Sequence, residues 1–165
     1  MRVLSLICVV FFAFTGTAEM QKGALASDPS CSRKCQVKLI TEYYQNIDKI
    51  MMTGSSMQDV EHFLSLLHDD VRYIHVEYEA DFTKDVWRKA FKRQMDKGSY
   101  DSPQSAVTTV ANIIHGHRVA AVEFIDRYKD DTTGELKVTP PRLAIFTFQE
   151  GKIVKIEDMW YHLSE

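Results

Sequence analysis

From Val37 onward apolar residues recur at helical spacing through Ile40, Tyr44, Ile47 and Met51, and Gly54 ends the run. That pattern predicts a first helix. Ser55 with Gln58 three residues on has the spacing of a capping box, and Val60, Phe63, Leu64 and Leu67 then make one face of a second helix. The period next changes. In "VRYIHVEY", residues 71 to 78, Val71, Tyr73, His75 and Glu77 fall on one face of a strand while Arg72, Ile74, Val76 and Tyr78 fall on the other. Helical spacing returns in "DFTKDVWRKAFKRQMDKG" through Val86, Ala90 and Phe91. Thr83 and acidic residues stand at its start, and Lys97-Gly98 at its end, as the helix dipole favours.

Beyond Gly98 β-branched residues dominate. "SAVTTVANIIHGHRVAAVEFIDRYKDD" reads as two strands with a hairpin at His115-Gly116-His117. "KDDTTGE" is a turn, and "LKVTPPRLAIFTFQ" a strand that Pro140-Pro141 interrupts, which marks an edge or a bulge because proline cannot donate to a ladder. "EGK" turns the chain into a last strand, "IVKIEDMWYHL". The order helix, helix, strand, helix and then hairpin-linked strands gives an α+β class: helices on one face of a curved antiparallel sheet that wraps around them. The expected shape is a cone-shaped α+β barrel, or cystatin-like roll, with an internal pocket in the place where small-molecule sites are common.

The first residues carry a different signal. Arg2 precedes an apolar run from Val3 to Phe14 broken only by Ser5, and the small-residue segment "TGTAEM" follows. This is the pattern of a secretory signal peptide, with cleavage expected after Ala18 and Ala26 as the competing site. The run is shorter than the roughly 20 residues a spanning helix needs, so no membrane attachment is expected after cleavage. The expected organisation is a leader over 1–18, a flexible arm over 19–35 and one domain over 36–165. Losing Arg2 takes the formal charge from −3 to −4, and no basic stripe interleaved with aromatics supports nucleic-acid binding. Of the three cysteines, Cys8 leaves with the leader, while Cys31 and Cys35 remain in "CSRKC". In an exported chain that pair favours a local disulfide over an intermolecular bridge or free thiols. The expected location is secreted or periplasmic.

Together the element order, "LLHDDVRYIH" after the second helix and "FTFQEGKIVKIEDMWY" near the end make residues 36 to 163 resemble the nuclear transport factor two-like superfamily, and within it the SnoaL-like domains. Polyketide cyclases, ketosteroid isomerases, scytalone dehydratases and limonene epoxide hydrolases belong to this group. The resemblance implies a cone cavity and a homodimer paired through its sheets. By resemblance, His75 stands where ketosteroid isomerases keep their aspartate base, and Tyr44, with Tyr43 as the alternative, lies near their oxyanion tyrosine. Ala144 replaces their second oxyanion donor, which departs from isomerase chemistry. Asp158 matches the pocket acid of SnoaL-like cyclases and epoxide hydrolases, with Ile156 and Trp160 on the same face.

The candidate site is therefore His75 and Asp158 as an acid-base pair facing each other across the cavity. Tyr44, Tyr73, Arg142, Phe146 and Trp160 would surround a small, partly apolar molecule. Histidine suits proton transfer near neutral pH, and a carboxylate within reach would orient it. The competing reading has His75 hydrogen-bonded in a polar layer and Asp158 in an ordinary pair with Lys155 or Arg142. The expected chemistry is cofactor-independent, of isomerase, cyclase or dehydratase type. The alternatives are a non-catalytic binding module and a homodimeric assembly module. His115 and His117 have the spacing of two metal ligands, yet no third ligand is in view, and no metal is expected.

Overall fold

A computed structural model describes residues 31–100, 107–130 and 132–160. The leader, its cleavage sites and most of the expected arm lie outside the described residues. Helix α1 is Arg33–Ile50, with the Ser32 hydroxyl accepting from the Cys35 N–H at 3.3 Å. Cys31 and Cys35 are bridged across this first turn, so the last residues of the expected arm belong to the helix. Leu39, Ile40, Tyr43 and Tyr44 make its buried face. Val37, expected on that face, is 41% exposed. Helix α2 is Met57–Ser65, and its cap lies one residue later than expected. The Asp59 carboxylate accepts from both the N–H and the hydroxyl of Ser56, each at 2.9 Å, and an anion at that position also complements the helix dipole.

Strand β1 is Leu67–His75, beginning earlier than expected and ending before Tyr78. Residues 76–79 turn instead, with Glu79 at φ 49°, into an unanticipated strand β2, Ala80–Thr83. Arg72 and Asp81 pair on the exposed side of this hairpin. Helix α3, Lys84–Asp96, is capped by the Thr83 hydroxyl and buries Trp87 and Phe91, while Val86 points outward. Among the described residues no helix is long and apolar enough to cross a membrane.

Five strands complete the sheet: β3 Val107–His115, β4 Val119–Lys129, β5 Leu136–Val138, β6 Arg142–Gln149 and β7 Lys152–Asp158. Their order is β2-β1-β7-β6-β4-β3, with β5 also on β4. The two prolines act as anticipated. They separate β5 from β6, which pair with β4 in series, while Thr139 bridges the gap by bonding the backbone of Asp126 in both directions at 2.9 Å. One pairing differs from the antiparallel expectation: β1 lies parallel to β7, with His75 opposite Asp158.

The α+β class and the curved sheet are as expected, with this one parallel neighbour in a mixed sheet. It decides where the site forms, because it sets the chain's early and late strands side by side. The inner face of the sheet places Val71, Val122, Phe146, Phe148 and Ile156 against Ile40, Tyr43, Phe63 and Leu64 of the helices. Complete burial of side chains of this size contributes about 1.5–3 kcal/mol each.

Candidate functional site

A cavity of about 300 Å³ lies between α1, α3 and the inner face of the sheet. Helix α1 contributes Tyr43, Tyr44 and Asp48, which its 3.6-residue period keeps on one side, and α3 contributes Trp87 and Phe91, four residues apart. The sheet adds Tyr73 from β1, Phe82 from β2, Phe124 and Asp126 from β4, Arg142 from β6 and Asp158 from β7, with Trp160 just beyond.

Among the described residues three carboxylates define its polar side. The Asp158 carboxylate accepts from the Tyr73 hydroxyl at 2.7 Å. Burial pushes its pKa up to about 6, against the opposing effects of that hydrogen bond and the positive charge of Arg142. Asp48 is half-buried and accepts from the N–H and hydroxyl of Thr108 on β3, at 2.9 and 2.8 Å; desolvation still raises its pKa. Asp126 pairs with Arg142 at 2.6 Å, and the Arg142 guanidinium lies 3.9 Å above the Trp160 ring. The Tyr73 hydroxyl is pushed up by burial and then by Asp158. Tyr44 is raised the same way, by burial first and then by Asp158 and Asp126. Its residue is 7% exposed, and its buried hydroxyl has no hydrogen-bond partner among the described residues.

The structure gathers Tyr44, Tyr73, Arg142, Asp158 and Trp160 around this space and leaves two expected residues outside it. His75 and Asp158 do not face each other across the cavity. They are neighbours in register on parallel strands, and the His75 ring packs against Tyr78 at 4.3 Å and Trp160 at 4.5 Å. His75 is 2% exposed and does not line the cavity, where Tyr73 reaches Asp158 instead. Phe146 lies one layer deeper, with its ring edge-on to Tyr43 at 5.1 Å and Tyr44 at 5.9 Å. It supports the wall without forming it.

Sequence reasoning missed Asp48, Asp126 and Trp87, although the signals were present. Asp126 continues the inward series Ala120, Val122, Phe124 on β4, and Asp48 follows Tyr44 by one helical turn. Outside the cavity, His115 Nδ1 lies 2.7 Å from the side-chain oxygen of buried Gln36, whose amide also donates to the Gly116 carbonyl. Among the described residues no group of three or more His, Cys, Asp or Glu side chains is placed to hold a metal.

No family model matches the chain, and no curated protein matches its sequence. Solved structures do match. A protein with a ketosteroid isomerase-like fold from Catenulispora acidiphila, in complex with trimethylamine, is 11% identical over 76% of this chain and 86% of its own, with a TM-score of 0.54. A nuclear transport factor two-like protein of unknown function from Burkholderia pseudomallei is 16% identical over 77% and 91%, also with a TM-score of 0.54. TerC, co-crystallised with polyporic acid, is 16% identical over 77% and 92%, again at 0.54. At these identities the likeness concerns the fold, and the chain has the nuclear transport factor two-like fold.

Proposed function

We propose that this domain binds a small, partly apolar molecule in the cavity between α1, α3 and the sheet, and that Asp158 exchanges a proton with it. One observation carries the reading. Asp158 stands on an aromatic-walled cavity, hydrogen-bonded to Tyr73, with a pKa raised to about 6. A carboxylate in that range is ionised near neutral pH yet more basic than an exposed one, which suits proton abstraction beside a carbonyl. Tyr44 then has a task for its hydroxyl, as hydrogen-bond donor to the oxygen on which negative charge develops. Two proteins of this fold were crystallised with small molecules, trimethylamine and polyporic acid, which supports the binding part of the proposal.

The test uses 2-tetralone, a neutral ketone with acidic protons beside its carbonyl. The chain's two tryptophans, Trp87 and Trp160, both line the cavity, so their fluorescence reports occupancy. Binding should change the fluorescence, and the protein should speed exchange of the ketone's α-protons with deuterium oxide. Asp158→Asn should retain binding and slow exchange about 10²-fold or more. Absence of binding would sink the whole proposal. Binding without exchange would leave a non-catalytic binding module, a reading favoured by the existing engagement of Asp158 with Tyr73.

We also place the protein outside the reducing cytoplasm, as a homodimer. The leader pattern and the bridged Cys31–Cys35 pair support export. Exposed Ile114, Val119 and Leu143 on the outer face of the sheet support pairing there. Sedimentation should give twice the chain mass, and a monomer at micromolar concentration would rule the dimer out.

A further inference from the structure

We infer that the ligand this cavity selects is a cation, a protonated amine carried on an apolar body. The inference deepens the binding reading above and rests on it. Among the described residues, three carboxylates line the cavity, Asp48, Asp126 and Asp158, against one cationic side chain, Arg142. Arg142 is held by Asp126 and lies over Trp160, so its charge is largely spoken for within the wall. That leaves an excess of negative charge in a space otherwise bounded by aromatic rings, among them Tyr73, Phe82, Trp87 and Phe124. Ring faces attract cations, and desolvation strengthens the attraction, so an ammonium gains from carboxylate and ring together.

A second observation points to a ligand independently of charge. The Tyr44 hydroxyl is buried beside this cavity without a hydrogen-bond partner among the described residues. Asp158 and Asp126 are its chief charged neighbours. Leaving a buried polar group unpaired is unfavourable, and an ammonium bound beside Tyr44 and Asp158 would give the hydroxyl a donor to accept from and the carboxylate a counter-charge. A neutral apolar guest would fill the volume and leave the hydroxyl unpaired. An anion would meet Asp158 and Asp126 as like charges.

The charge on Asp158 then gives the ligand a pH signature. An added cation favours the ionised carboxylate, so binding lowers the Asp158 pKa and affinity rises as pH climbs through its free value. The groups facing Asp158 are Tyr43 and Tyr44 from α1, Tyr73 from β1, Asp126 from β4 and Arg142 from β6, with His75 beside it on β1. Asp48 stands farther along α1, and α3 presents only the rings of Trp87 and Phe91. Among the carboxylates, Asp48 is raised as well, and its titration runs in the same direction.

The probes are N,N-dimethylbenzylamine, which stays protonated throughout the range used, and isobutylbenzene, its carbon isostere. Both are titrated into the protein by tryptophan fluorescence between about pH 5 and pH 7.5. At the upper end the amine should bind at least about tenfold more tightly than the hydrocarbon. Its affinity should rise about tenfold across the range, while that of the hydrocarbon stays level or falls. Asp158→Asn, which keeps shape and a partner for Tyr73, should remove most of the preference and the slope. If the hydrocarbon binds as tightly as the amine at the upper end, the cation inference falls and the binding reading stands. A slope that survives Asp158→Asn would trace to His75 or Asp48 and overturn the assignment to Asp158. If neither probe binds while 2-tetralone does, the cation inference alone falls; if none of the three binds, both readings fall.

Discussion

Asp158→Asn is expected to stabilise the protein near neutral pH by about 3 kcal/mol and to leave its stability unchanged in acid. Burial raises the Asp158 pKa from 3.8 to about 6, so the folded protein holds that proton more tightly than the unfolded chain does. The protonated carboxyl is accommodated without penalty below about pH 4. As pH rises from the unfolded value toward the folded one, stability is lost, and above about pH 6 the loss is complete. A shift of roughly two units corresponds to about 3 kcal/mol. Asparagine keeps the shape and an oxygen to accept from Tyr73 at the present 2.7 Å geometry, and it carries no charge to desolvate. Urea unfolding of both proteins in a pH series should give curves that coincide near pH 4 and separate by about pH 7, where melting should differ by roughly 10 °C. A variant less stable than the parent at neutral pH would mean that the ionised carboxylate is stabilising, contrary to the account. A variant more stable than the parent would mean that the site trades stability for a basic carboxylate, a common arrangement at functional positions.

Phe146→Ala is expected to cost about 3–5 kcal/mol, a large part of the typical stability of a domain this size. Phe146 is fully buried on β6 and holds Tyr43 and Tyr44 edge-on from beneath. Removing its ring deletes apolar burial and leaves a void behind both tyrosines, whose other ring neighbours include Phe63 and Phe124. Phe146→Leu fills more of that space and should cost only about 1–2 kcal/mol. Because Phe146 does not line the cavity, its loss should weaken ligand binding indirectly, by letting Tyr44 tilt. Chemical denaturation of the two variants checks the ordering. A loss below about 1 kcal/mol for alanine would show that the tyrosines are supported from elsewhere.

Much of the fold was legible because the hydrophobic period changes between 3.6 and 2 where helices give way to strands, and Gly54, Gly98 and the proline pair punctuate it. Helix faces were less well resolved. Val37 and Val86 share the helical period but lie outside the buried stripe, where Leu39 and Trp87 stand instead. Strand β2 was invisible because four residues of mixed polarity carry no pattern, although the hairpin it makes with β1 is local and pairs Arg72 with Asp81. The parallel join of β1 to β7 is non-local, and no residue type announces it.

The same distinction governs the site. Alternation along a strand tells which face a residue occupies, so Tyr73, Arg142 and Asp158 were recognisable as neighbours of one space. It does not tell depth. Tyr73 and His75 share a face, yet Tyr73 reaches the cavity while the rings of Tyr78 and Trp160 close over His75. Asp126 and Asp48 lie on readable faces, but an acidic residue near the end of a strand or helix fits a solvated position as well as a cavity, and only tertiary packing decides between them.

If Asp158 is the working group of this cavity, its own titration shows it. Carbon NMR of the side-chain carboxyl groups, with Asp158→Asn identifying the resonance, should give a midpoint near pH 6 in the free protein. Adding N,N-dimethylbenzylamine should move that midpoint downward. A midpoint in the ordinary aspartate range, near 4, would show a well-solvated carboxylate with no special basicity and would contradict the account.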